Sequence, residues 1–136
     1  MPARVVHLEL HTGNLARACA FYTDLLGWQT ERVELDSGTY VALGLGGPIG
    51  GGVVERESER ALWLPYVEVA DAAETTERAR ELGAAVLLEP REGPAGWRSV
   101  IASPATGEIA VWQPKERASD PVAWTGANGR LRSKRA

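Results

Sequence analysis

Three ionisable side chains at alternate positions, His7, Glu9 and His11, are the densest concentration of proton-transfer chemistry in the chain. Successive residues of an extended strand point to opposite faces, so these three share one face while Val6, Leu8 and Leu10 share the other. A carboxylate beside an imidazole orients the ring and favours its protonated form, the arrangement of a general base with its supporting group. Glu9 and His11 are therefore the candidate catalytic pair, and a solvated strand face is the bland reading of the same residues. No nucleophilic constellation competes with them, because the chain has a single cysteine, Cys19, and no Gly-x-Ser-x-Gly elbow. The glycine-rich stretch Gly44 to Gly52 lacks the Gly-Lys-Ser/Thr ending of a phosphate loop. Its glycines instead permit a tight turn and a close backbone approach.

The elements that must position these groups occur twice. His7 to His11 is followed by Asn14, a good N-cap, then by apolar residues at Leu15, Cys19, Tyr22, Leu25 and Leu26, and by Gly27 as a left-handed stop. The pattern returns from Leu64, where Asp71 caps a second helix with Glu74 three residues on, and Gly83 follows its last apolar residue, Leu82. In that second copy Pro65, Val67 and Val69 take the helix side, leaving Leu64, Tyr66 and Glu68 in the places of His7, Glu9 and His11. Strands are expected at Trp28 to Leu35, Tyr40 to Leu45 and Gly51 to Glu55, then at Ala85 to Glu89, Trp97 to Ala102 and Ile109 to Gln113. Strand, helix and three strands, repeated, predict an α+β fold with helices on one sheet face. In the last strand Ile109 and Val111 suit the helix side, which leaves Glu108, Ala110 and Trp112 opposite.

Composition narrows the function classes. The 136 residues suit one domain, and the net charge of −3 hides an asymmetry: residues 1–113 hold 9 Lys/Arg against 16 Asp/Glu, and residues 114–136 hold 6 against 2. The acidic body argues against nucleic acid as a partner, and Arg130, Arg132, Lys134 and Arg135 read as a solvated tail. No apolar run approaches the roughly 18 residues of a membrane span, and one cysteine allows no disulfide framework within the chain. A soluble cytoplasmic protein with no membrane partner is expected.

The segments Val5 to Leu10, Phe21-Tyr22, Leu25 to Trp28, Tyr66 to Asp71, Glu81 to Gly83 and Ser103 to Pro114 resemble the vicinal oxygen chelate superfamily, which includes glyoxalase I, extradiol dioxygenases and the bleomycin resistance proteins. The resemblance implies two βαβββ modules, residues 4–56 and 62–114, forming one domain over 4–114 with a basic tail at 115–136. It implies a curved, cup-like incomplete barrel of mixed sheet with helices outside, and a homodimer. Metal-dependent members hold a divalent ion in the cup with His and Glu ligands. Matched by position, those ligands fall on His7, Leu64, Ala110 and the segment Val41-Ala42-Leu43, so one expected ligand survives. No cofactor is therefore expected, with a displaced divalent-metal site using His7, Glu9, His11 and Glu68 or Glu108 as the alternative.

Five Trp against one Phe is an unusual balance for an ordinary core. His7, Tyr40, Trp63, Tyr66, Glu68, Trp97 and Trp112 are the candidate ligand-binding residues, with Trp63 and Trp97 expected to make exposed contact, and Trp28 and Trp112 alternatively plugging the barrel ends. The stretch Glu89 to Trp97 is expected to carry Arg91 and Trp97 to the mouth as a lid. The expected function is binding of a small organic molecule, sequestering or acting on an aromatic or antibiotic-like metabolite. A metal-dependent lyase, isomerase or dioxygenase and a non-catalytic dimer are the alternatives.

Overall fold

The computed structural model describes residues 2–35, 38–57, 60–105 and 107–115. Trp124 and the basic residues of the tail lie outside the described residues. The elements in chain order are β1 (Arg4–Thr12), α1 (Leu15–Leu26), β2 (Thr30–Leu35), β3 (Gly38–Leu43), β4 (Gly50–Glu55), β5 (Leu62–Glu68), α2 (Ala72–Glu81), β6 (Ala85–Glu92), β7 (Gly96–Ala102) and β8 (Glu108–Pro114).

Local chemistry sets the helix ends. Asn14 Oδ1 accepts from the Arg17 amide at 3.0 Å and Asp71 Oδ1 from the Glu74 amide at 3.0 Å, so each helix starts on a capped donor. Gly27 closes α1 at φ 74°, where its amide donates to the Thr23 carbonyl. The second helix stops one position earlier than its glycine, with Leu82 as the C-cap and Gly83 following at φ 100°.

All eight strands form one open sheet in the order β2-β3-β4-β1-β5-β8-β7-β6. The two repeats meet at its centre, where β1 and β5 run antiparallel with His7 opposite Tyr66, Leu8 opposite Pro65 and Glu9 opposite Leu64. Within each repeat the last strand returns parallel to the first, β4 on β1 and β8 on β5.

Both helices lie on one face of this sheet. Leu10, Val41, Leu43 and Val53 pack against Leu15, Cys19 and Tyr22 of α1, and Ile101 and Val111 pack with Ala72 and Ala79 of α2. Burying each such Val, Leu or Ile side chain contributes roughly 1.5–3 kcal/mol. Under α2 a buried hydroxyl pair adds a polar fastener. Thr76 Oγ1 donates to the Ala72 carbonyl at 2.6 Å, so its one hydrogen is spent and Ser99 Oγ must donate to it across 2.7 Å. A third cluster, Leu64, Tyr66, Ala95, Val100, Ala110 and Trp112, occupies the face away from the helices.

Strand alternation holds for most of β1, with one correction. The pairing with β5 shifts between Val5 and His7, and Val6, expected on the helix side, packs against the Leu64–Tyr66 cluster instead. A bulge adds one residue to the strand and so breaks the period-two rule locally.

Candidate active site

The face away from the helices carries a connected set of polar side chains around Glu9. His7, Glu9 and His11 project from β1, Tyr66 from the neighbouring β5, and Tyr40 from β3. All five are buried, with exposures of 0%, 2%, 8%, 0% and 5% in that order. Tyr40 Oη is hydrogen-bonded to His7 Nε2 at 3.1 Å, and that ring nitrogen stands 3.9 Å from Glu9 Oε2. The other carboxylate oxygen, Glu9 Oε1, accepts from Tyr66 Oη at 2.9 Å and bonds His11 Nε2 at 2.9 Å. Beyond the tyrosine, Arg98 Nη1 donates to Tyr66 Oη at 3.3 Å.

Two backbone features make room for the tyrosines. Gly52 lies directly under the Tyr40 ring, so any Cβ there would collide with the hydroxyl. The close approach expected of the glycine-rich stretch was to a ligand or partner subunit; at Gly52 the space is taken by the chain's own Tyr40. The antiparallel register that sets His7 opposite Tyr66 brings their rings to an edge-to-face contact at 5.3 Å.

Hydrogen-bond logic fixes the state of His11. Arg56 Nη1 lies 3.1 Å from His11 Nδ1, and a guanidinium can only donate, so Nδ1 is the acceptor and the ring proton sits on Nε2, facing Glu9. Neutral His11 thus joins a carboxylate on one side to a cation on the other.

Electrostatics agrees with an ionised Glu9. Burial pushes its carboxyl upward, but the hydrogen bond from His11, the nearness of the His7 and His11 imidazoles, and the Tyr66 hydroxyl outweigh that, and the pKa lies below its ordinary value. Burial dominates at His7, whose pKa falls to about 4 against the pull of Glu9, so the ring is neutral near pH 7. Burial and then the Glu9 charge raise both Tyr40 and Tyr66, which keep their protons.

His11 is also the link between this network and a cleft of about 420 Å³ formed largely by the second repeat. Leu62, Leu64, Leu88 and Val100 supply its apolar wall, and Arg56, Arg91 and Arg98 with Glu57 and Glu108 supply its charge. A cleft of this size suits a small organic molecule.

The sequence-derived candidates divide on this geometry. Glu9, His11, His7, Tyr40 and Tyr66 come together. Trp112 is buried beside Tyr66, with ring centroids 6.5 Å apart. Trp63 and Trp97, expected to make exposed contact, are turned to the helix face: Trp63 packs edge-on to Tyr22 and Trp28, and Trp97 joins the cluster under α2. Trp28, the other proposed plug, stacks on Tyr22 in that same helix-side cluster. The aromatic wall is thus replaced by leucines and arginines. Glu68 is the backbone ladder partner of Arg4 and Trp112, four residues along β5 from Leu64, the partner of Glu9. The expected lid shrinks to a short turn between β6 and β7, and Arg91 reaches the cleft from β6 itself. Arg56 and Arg98 were not anticipated. Once Trp97 is assigned to the helix side, alternation alone would have turned Arg98 to the cleft.

Leu64 and Ala110, buried at 2% and 0%, present only methyl groups, and Tyr40 and Tyr66 already bond His7 Nε2 and Glu9 Oε1. Among the described residues no group of three His, Cys, Asp or Glu is placed to hold a metal ion. This donor set does not fit the conventional site that the resemblance implies. Among the described residues, no helix is long and apolar enough to cross a membrane.

The family profile for the Glyoxalase/Bleomycin resistance protein/Dioxygenase superfamily matches residues 4–109. No curated protein matches the chain significantly. Among solved structures, methylmalonyl-CoA epimerase from Mycobacterium tuberculosis is similar at 17% identity and a TM-score of 0.60, over 85% of this chain and 90% of that one. A glyoxalase/bleomycin resistance protein/dioxygenase superfamily member from Vibrio splendidus 12B01 is similar at 20% identity and a TM-score of 0.58, over 83% and 99%. A mutant 4-hydroxymandelate synthase from Streptomyces coelicolor is similar at 15% identity and a TM-score of 0.62, over 94% of this chain but 44% of that one. At these identities the likeness is one of fold.

Proposed function

The chain belongs to the Glyoxalase/Bleomycin resistance protein/Dioxygenase superfamily, and within it we propose a small-molecule enzyme that moves a proton without a conventional metal site. The observation that carries this reading is the single line from buried Glu9 through His11 to the cleft, with Nε2–H held by the carboxylate and Nδ1 directed to the Arg56 side. In this arrangement Nδ1 is the basic atom. Arg56, which is exposed, yields it as a substrate enters.

The chemistry that fits is proton abstraction beside a carbonyl. The C–H bond breaks, its electron pair moves to the carbonyl oxygen as an enolate, and the proton forms a bond to His11 Nδ1. The resulting imidazolium lies against the Glu9 carboxylate, which stabilises the charge in a buried setting where such pairing is strong. Exchange of the imidazolium proton with solvent, followed by return of a proton to carbon, completes hydrogen exchange at that centre. The protonated Tyr66 hydroxyl holds the carboxylate in place, and neutral His7, bonded to Tyr40, does not compete for the proton.

The reading is tested by incubating the protein with a panel of small carbonyl compounds in heavy water and following loss of the carbon-bound proton by NMR. Exchange that survives a chelator and disappears in His11→Asn is expected. Absence of exchange across the panel, or exchange unchanged by His11→Asn, would sink it, and exchange abolished by the chelator would point to a metal instead.

A further inference from the structure

We propose that Arg56, Arg91 and Arg98 make the cleft a receptor for an organic oxyanion, a carboxylate or a phosphate monoester borne on a branched aliphatic body. This deepens the proposed function and rests on its assignment of the cleft as the substrate site.

Three observations converge. Arg91 and Arg98 are direct cross-strand partners on β6 and β7, and both line the same cleft. Like charges set directly opposite destabilise a sheet, so this pair is a local cost that an incoming anion removes. Charge counting points the same way. Residues 1–113 are strongly acidic, with 9 Lys/Arg against 16 Asp/Glu, yet three of those nine basic residues meet at one cleft beside two carboxylates, Glu57 and Glu108. Neither Arg56 nor Arg91 forms an ion pair among the described residues.

The third observation is the company the arginines keep. Leu62, Leu64, Leu87, Leu88 and Val100 complete the lining, a surface that accepts branched hydrocarbon and offers no hydrogen bonds. A guanidinium grips carboxylate or phosphate oxygens with paired N–H donors, which an amide of the same shape cannot exploit. An anion held by Arg91 and Arg98 would also draw the Arg56 guanidinium from His11 Nδ1, so binding and exposure of the base become one event.

The experiment is an NMR titration of the full isotopically labelled chain with isovalerate, isobutyl phosphate and neutral isovaleramide. At least one oxyanion is expected to bind about tenfold or more tightly than the amide, and to lose about that factor in Arg91→Gln/Arg98→Gln. Its affinity is also expected to fall with added salt. Whichever oxyanion binds best identifies the head group. An amide bound as tightly as both oxyanions, binding unaffected by the arginine substitutions, or no oxyanion binding would overturn the proposal. Should the double variant fail to fold, Arg91→Gln alone and the salt titration of the unmodified protein decide the matter. Arginine-dependent oxyanion binding without any proton exchange would defeat the base assignment and leave the receptor standing. Exchange on neutral carbonyls with no oxyanion preference would do the reverse.

Discussion

His11 Nε2 lies 2.9 Å from Glu9 Oε1 with both side chains nearly closed off from water, so one carboxylate sets both the orientation and the tautomer of a ring that reaches the cleft. Glu9→Gln keeps the shape and removes the charge. It is expected to lower proton-exchange turnover by about two to four orders of magnitude, the range of acid–base catalysis, while ligand affinity changes little. Equal loss of affinity and turnover in a folded variant would show that Glu9 acts on binding alone.

Nitrogen NMR reads the tautomer directly. His11 is expected to show an unprotonated Nδ1 and a protonated Nε2 near pH 7, since Arg56 can only donate to the former. A protonated Nδ1 in the unliganded protein would exclude it as the base.

Stability is expected to fall on acidification in a window belonging to His7. Its folded pKa of about 4 lies below the ordinary 6.5, so the unfolded chain binds more protons between these values and stability is lost as pH falls through them. The full span corresponds to at most about 3 kcal/mol. Glu9, also depressed, adds to the loss at lower pH, once its unfolded form begins to protonate. Urea unfolding of wild type and His7→Gln at pH 7, 6, 5 and 4 measures this, with a flatter dependence expected in the variant. Parallel curves would show that the acid sensitivity originates elsewhere.

Gly52→Ala should displace the Tyr40 hydroxyl from His7, because the new methyl and the phenol claim the same space. A loss of about 1–3 kcal/mol is expected, typical of overpacking. The same substitution in a Tyr40→Leu background should cost clearly less, and additive losses in denaturant unfolding would refute the steric link.

At the Thr76–Ser99 pair the order of removal matters. Thr76→Val leaves Ser99 Oγ facing a methyl and should cost about 1–3 kcal/mol, whereas Thr76→Val/Ser99→Ala removes both polar atoms and should recover part of it. Calorimetric melting of these two variants, Ser99→Ala and the wild type tests this, and strictly additive effects would mean the two hydroxyls are not coupled.

Much of this architecture was legible from chain chemistry. Caps at Asn14 and Asp71 and stops near Gly27 and Gly83 are local features, and the alternation of His7, Glu9 and His11 survives because one sheet face is covered by helices and the other is not. Trp63 was readable too. It has the parity of Val67, which was assigned to the helix side, but the abundance of tryptophan suggested a ligand surface and overrode the pattern. The convergence of Arg56, Arg91 and Arg98 was not readable. It depends on register shifts in the β6–β7 ladder and on the order of strands across the sheet, which no local period encodes.

The central β1–β5 seam has a consequence for synthesis. The first repeat can complete its own strands as it leaves the ribosome, yet β1 then ends the sheet as a bare edge until Leu62–Glu68 arrives to pair with it. That edge carries His7, Glu9 and His11. The polar groups that serve the finished cleft therefore also interrupt, during the interval, what would otherwise be a continuous apolar strand inviting another nascent chain to dock.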